Sequence, residues 1–145
     1  MRHMKAGIVM AALLAAVLFT ACATVQPGND PVLVNAERNL NVAVKSIDAL
    51  FKTDYQNWQV IEPVVPGWKA AVNALRITAP PVIDAADGSI KAYRAALALY
   101  RVDPTQVTQE QLNALATDLG TKIVAAVNLG KQAMAVIGQW HGGGK

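Results

Sequence analysis

Between residues 31 and 140 the apolar residues recur every three or four positions, and this spacing leaves few folds open. The period puts one side chain per turn on the same face of an α-helix, whereas a half-buried strand needs alternation by two. Leu33, Ala36, Leu40, Val44, Ile47, Phe51, Tyr55 and Trp58 make the first such stripe. Asn35, Arg38, Asn41, Lys45, Asp48, Lys52 and Gln56 fill the opposite face. Asp30 precedes the stripe as a cap for free N–H groups, and Pro31 suits the first helical position. A helix is therefore predicted from 31 to about 59, roughly 43 Å long at 1.5 Å per residue. Pro63, Pro66 and Gly67 end it.

The pattern returns over 67 to 78 with Trp68, Ala71, Val72 and Leu75 inward. It resumes from Pro81 to about Arg101 through Ile83, Ala86, Ile90, Tyr93, Leu97 and Tyr100. Pro80-Pro81 is expected to break this rod, because proline disfavours helical geometry in the residue before it. Gly88 inside the second half costs the helix up to about 1 kcal/mol. Asp103-Pro104 makes a turn, and Thr108 followed by Gln111 fits a capping box. The last helix then runs to about Trp140, with Leu112, Leu115, Leu119, Ile123, Ala126, Val127, Gly130, Ala133, Ile137 and Trp140 inward. Asp48/Lys52, Asp87/Lys91 and Asp118/Lys122 stand acid before base at i, i+4, an order that supports helices. The fold predicted is all-α: an up-down-up antiparallel bundle of three long rods over 31–140, the middle one broken at Pro80-Pro81. A four-helix bundle, with 67–78 folded back as its own helix, is the alternative. His141 to Lys145 should form a disordered tail.

The first 22 residues read differently. Arg2 and Lys5 are followed by an uncharged apolar run from Ala6 to Phe19, then Thr20, Ala21 and Cys22, the layout of an export signal. Leu18-Phe19-Thr20-Ala21-Cys22 resembles the lipobox of bacterial lipoproteins, with Phe19 standing where Leu is usual. The resemblance implies cleavage after residue 21, diacylation of the Cys22 sulfur, and anchoring in a membrane through that residue. By the family's sorting rule, Ala23 after the cysteine implies the outer membrane of a Gram-negative host, with the body facing the periplasm. Residues 22–30 would then be a short tether containing Pro27 and Gly28. Two other readings stay open. Ala21-Cys22-Ala23 also fits an ordinary signal-peptidase site, and Ala6 to Val25 is long enough to be retained as a membrane helix. The overall layout, with Asn29-Asp30-Pro31-Val32 opening the first helix, loosely resembles small lipoproteins of bacterial and prophage genomes. No function comes with that likeness.

Composition narrows the chemistry. The chain has 145 residues, room for one domain, and 53% of it is apolar, which excludes a disordered chain. A single cysteine excludes a disulfide scaffold and any cysteine-based zinc site. The net charge of +3 leans on Arg2 and Lys5, and no Lys/Arg cluster follows them, so no nucleic-acid partner is expected. After the leader the one histidine is His141, in a glycine-rich tail that cannot hold geometry for a catalytic triad. Asp84, Asp87 and Glu62 are the acids that a two-carboxylate site could use, but surface roles on helices account for them. No metal motif, cofactor loop or phosphate loop stands in the sequence, so neither an enzyme nor a cofactor is expected. The spacing Ala126-x3-Gly130-x7-Gly138 reads as a flat strip where a neighbouring rod comes close, with self-association as the other reading.

The aromatic residues carry the functional expectation. In an up-down-up bundle, Tyr55, Trp58, Trp68 and Trp140 gather at the pole opposite the anchor. They either plug the end of the core or form a patch for a protein partner, since Trp and Tyr are favoured at interface hot spots. The reading from sequence is therefore a lipid-anchored, non-enzymatic interaction or envelope-structural module. A carrier of a small apolar ligand, or a phage-type lysis or envelope accessory lipoprotein, is the alternative. The sequence leaves the oligomeric state open.

Overall fold

The computed structural model describes residues 30–142. They form three helices and no strand: α1 (Pro31–Ile61), α2 (Trp68–Val102) and α3 (Gln109–Gly142). The helices pack side by side as an up-down-up bundle, so the three-rod architecture holds and 67–78 is not a separate fourth helix. Cys22, the leader and most of the tether lie outside the described residues. His141 and Gly142, expected in a tail, are instead the last residues of α3, and residues 143–145 lie outside the described residues.

The helix ends follow local chemistry. The Asp30 carboxylate accepts the Val32 and Leu33 N–H groups at 2.9 and 3.1 Å, with Pro31 next to it in the first turn. Gly67 stands at φ +83°, left-handed geometry that lets the chain turn from the 62–66 loop into α2. At α3 the capping box closes reciprocally: Gln111 N–H donates to Thr108 Oγ1 at 3.2 Å, and Thr108 N–H donates to Gln111 Oε1 at 2.8 Å.

The expected break at Pro80-Pro81 does not occur; α2 is helical through both prolines. Each proline removes one backbone hydrogen bond, which would orphan the carbonyls of Arg76 and Ile77. Those residues, and both prolines, lie on the solvent face, where the freed oxygens are open to hydration. On the opposite face Ala79 and Ala86 are buried, and packing holds the helix on both sides of the prolines.

The buried positions obey a stricter rhythm than the apolar stripe suggests. In α1 they are Leu33, Ala36, Leu40, Ala43, Ile47, Leu50, Asp54 and Ile61, alternating steps of three and four throughout once the half-buried Asn57 is included. This is the seven-residue repeat of rods packed along their length. Two apolar clusters result. One joins the first half of α1 to the second half of α2 and the first half of α3, around Leu40, Ala86, Tyr93 and Leu119. The other lies toward the α1–α2 turn, around Leu50, Ile61, Trp68 and Val72.

Helix α3 is central, touching α1 and α2 more extensively than they touch each other. Its closest approach is at Gly130, where an added Cβ would sit 2.9 Å from the Ala43 Cα. Ala126 and Ala133, one turn to either side, are fully buried. Gly138 has open space around it and is not part of this strip. Gly88 is likewise open.

The glycines should therefore respond oppositely to alanine. Gly88→Ala should stabilise the fold by up to about 1 kcal/mol through helix propensity. Gly130→Ala should destabilise it by about 1–3 kcal/mol, because α1 must move away. Urea unfolding followed by circular dichroism reads both. At the Asp30 end, burial pushes the Tyr93 hydroxyl up to about 12, helped by the charge of Asp30 and a hydrogen bond to it. A raised folded value favours the protonated form, so its contribution is complete below about pH 10 and is lost as pH rises toward 12. Thermal melts across that alkaline window should show falling stability, with a shallower fall in Tyr93→Phe.

Candidate functional site

Of the four aromatic residues expected at one pole, Trp68 and Trp140 pack in the cluster toward the α1–α2 turn, while Tyr55 and Trp58 lie on the surface of the last turns of α1. Trp68, at the start of α2, is 1% exposed and forms the floor. Trp140, near the end of α3, is half-buried against the same cluster. Trp58 is 41% exposed and Tyr55 84% exposed, so both stand on the outer surface of α1. Trp68 is thus built into the end of the core, whereas Tyr55 and Trp58 are open to solvent.

Tyr55 and Trp58 face outward because Asp54 takes the inward position. Asp54 is 4% exposed, and both its oxygens are used. Oδ1 accepts the Trp68 indole N–H at 2.8 Å, and Oδ2 accepts from the Arg76 guanidinium at 2.7 Å. Arg76 also bonds Asn73 Oδ1 at 3.3 Å and lies 5.6 Å from the centre of the Phe51 ring. A buried carboxylate is tolerated only with such partners. Among the described residues no buried side-chain nitrogen or oxygen is left without a hydrogen bond.

The outer layer is fixed to the loop. Lys69 places its ammonium 3.9 Å from the Trp58 ring centre, a cation–π contact. Its backbone N–H donates to Glu62 Oε2 at 2.9 Å. Val64 and Val65 N–H groups both bond the Ile61 carbonyl, and Trp68 N–H bonds the Val65 carbonyl. Ile61 is buried beneath, while Val64 projects at 64% exposure. The pole is thus a short, tied loop with an aliphatic tip beside an aromatic–lysine ledge.

The remaining candidates lie elsewhere. Asp87 pairs with Lys91, and Glu37 with Arg94, on the α1–α2 surface. Asp84 is exposed on α2, and Glu62 is occupied at the loop, so the three acids considered for catalysis are not brought together. Asp118 accepts from Ser89 Oγ at 2.7 Å and from Lys122 at 2.9 Å, and these bonds hold its carboxyl below the usual range. Hydrogen bonds from Thr105 and Gln106 do the same for Asp103 in the α2–α3 turn. No group of three potential metal ligands occurs among the described residues. No helix among the described residues is long and apolar enough to cross a membrane. Two open grooves lie on the bundle's sides, one of about 430 Å³ between α2 and α3 at Ala74, Thr78 and Ala135, and one of about 340 Å³ between α1 and α2 at Leu40, Val44 and Ile90.

Compared with models of known protein families, with curated proteins and with solved structures, the chain matches none.

The Asp54–Trp68 bond should be visible as coupling. Asp54→Leu should cost about 1–3 kcal/mol, since it leaves the buried indole N–H unpaired. Combined with Trp68→Phe, which removes that donor, the loss should fall short of the sum of the single changes by about 1 kcal/mol or more. Chemical denaturation of the wild type, both single variants and the double variant measures it.

Proposed function

We propose that this chain is a non-enzymatic interaction or envelope-structural module, held to a membrane through lipidated Cys22 and facing the periplasm of a Gram-negative cell. The leader supports an anchor: an export-like run ends in Phe19-Thr20-Ala21-Cys22, and a short polar stretch leads to Asp30. The observation that carries the reading is the inequality of the two ends. The chain enters the bundle at Asp30, while the exposed aromatic ledge of Tyr55 and Trp58 stands at the far end of α1. Along α1, Tyr55 and Trp58 stand roughly 40 Å from Asp30 at 1.5 Å per residue. A rod anchored at one end and adhesive at the other holds something at a set distance from a membrane.

The body supports this better than it supports a carrier. An apolar-ligand carrier needs an enclosed space between helices. Leu50, Ile61, Val72 and Leu119 fill the core with almost no exposed surface, and the grooves described above open to solvent.

The anchor is tested by palmitate labelling of cells that make the full chain, followed by envelope fractionation. Wild type should carry label and sediment with membranes. Cys22→Ala should carry none. Label that persists in Cys22→Ala, or its absence from wild type, rejects the lipid anchor.

A further inference from the structure

We infer that residues 68–79, the opening stretch of α2, form a gate that swings open at the α1–α2 end while the rest of the bundle stays folded. This goes beyond the proposed function and does not depend on the anchor. Three observations carry it.

The first is a joint at each end of the stretch. Gly67 stands at φ +83°, so the chain enters through a left-handed turn and not through continuous helix. Pro80 and Pro81 stand at the other end. Four N–H bonds normally tie one stretch of helix to the next, and without the two proline donors only those of Val82 and Ile83 cross this junction. Just before it, Thr78 Oγ1 donates to the Ala74 carbonyl at 2.9 Å, a side-chain competitor that favours bending. A helix of about 12 residues is marginal in water by itself, so side-chain contacts hold this one in place.

The second is that the core divides at the same level. Trp68, Val72, Leu75 and Ala79 pack in the cluster toward the turn. From Ala86 onward α2 belongs to the other cluster, and Ile83 touches both. That later stretch is tied to both neighbouring helices, by Arg94 to Glu37 of α1 and by Ser89 to Asp118 of α3. A stretch with its own core and a weakened backbone link is a unit suited to sub-global opening.

The third is a latch on one edge and an open seam on the other. Trp68 and Arg76 both donate to Asp54, at 2.8 and 2.7 Å, and fasten the stretch to α1. Along α3 the groove of about 430 Å³ separates Ala71, Ala74 and Thr78 from Gln132 and Ala135. Small side chains leave this seam unfilled and forfeit dispersion contacts across it. Opening along the seam bares Leu50 and Val136, an apolar strip that the closed form seals.

Native-state hydrogen exchange of the purified full chain, read by mass spectrometry at low urea, tests the gate. Amides of Val72, Leu75 and Ala79 should exchange at least about tenfold faster than those of Ile90, Tyr93 and Leu97. The first set should share one urea slope, smaller than that of the second, with a step at Pro80-Pro81. Pro80→Ala with Pro81→Ala restores both donors and should shrink the gap about fivefold or more. Arg76→Gln loosens the latch from its exposed side and leaves the apolar core intact. It should speed the first set roughly threefold to tenfold and leave the second within a factor of about two. Equal protection and equal slope in both sets overturn the inference. So does protection that fades smoothly toward Trp68 with no step at the prolines, which is end fraying. A gap unchanged by the proline variants, or an Arg76→Gln effect of the same size in both sets, overturns it as well.

Discussion

The contact between Gly130 and Ala43 sets the geometry that the other contacts follow. Helices α1 and α2 meet each other only in part, so the bundle depends on α3 touching both. A side chain at position 130 would hold the two backbones apart, since even a methyl would come within 2.9 Å of the Ala43 Cα. With glycine there, and fully buried alanines at 126 and 133, α3 lies deep enough against α1 for larger side chains to interlock on either side. Dispersion contacts are individually small and fall off steeply with a gap, so this close approach decides whether Leu40, Leu50 and Leu119 reach full burial. The link between α1 and α2 is more polar: the Glu37–Arg94 pair on the surface and the Asp54–Trp68–Arg76 group inside. The surface pair adds little in water, so the buried group is the more consequential of the two.

Much of the architecture was legible in the sequence because helix signals are local. Asp30-Pro31, Gly67 and the Thr108/Gln111 box each act within one turn, and each marks an end in the folded chain. Two features were not legible, for different reasons. A proline's cost is local, but its compensation is not. Whether Pro80-Pro81 breaks a helix depends on which face the orphaned carbonyls take and on what packs opposite, and both are settled by α1 and α3. The second feature is phase. A seven-residue repeat drifts by about 20° per heptad against a straight helix of 3.6 residues per turn. A stripe chosen by side-chain size follows Val44, Phe51, Tyr55 and Trp58, whereas the buried line runs through Ala43, Leu50, Asp54 and Ile61. Hydrophobicity cannot place an aspartate in a core. Strict three-four counting from Leu33 does reach Asp54, and was the one sequence signal for it.

That phase shift produces the candidate site. Turning the helix so that a carboxylate points inward turns its neighbours outward, and those neighbours are Tyr55 and Trp58. Burying Asp54 demands donors, and α2 supplies two from Trp68 and Arg76. The inner tryptophan is thereby fixed in the core and the outer one left on the surface. Their different exposures, 1% and 41%, share one cause. The same substitution pattern that looks like a defect in an apolar stripe is what gives the pole an aromatic exterior without loosening the core beneath it.

The opposite end has a different character. Asp30 caps α1 and lies against Tyr93, and Asp103 gathers Thr105 and Gln106 into a closed polar turn. Its hydrogen-bonding groups are directed at one another. Leu50, Ile61, Val72 and Leu119 are packed into the core, and the two grooves described lie on the sides of the bundle. The sides carry the exposed ion pairs and shallow grooves. The α1–α2 turn combines a loop tied by backbone bonds with exposed aromatic surface. Since a helix transmits position along its axis without bending freely, anything bound at that turn is held at the length of α1 from wherever Asp30 is secured.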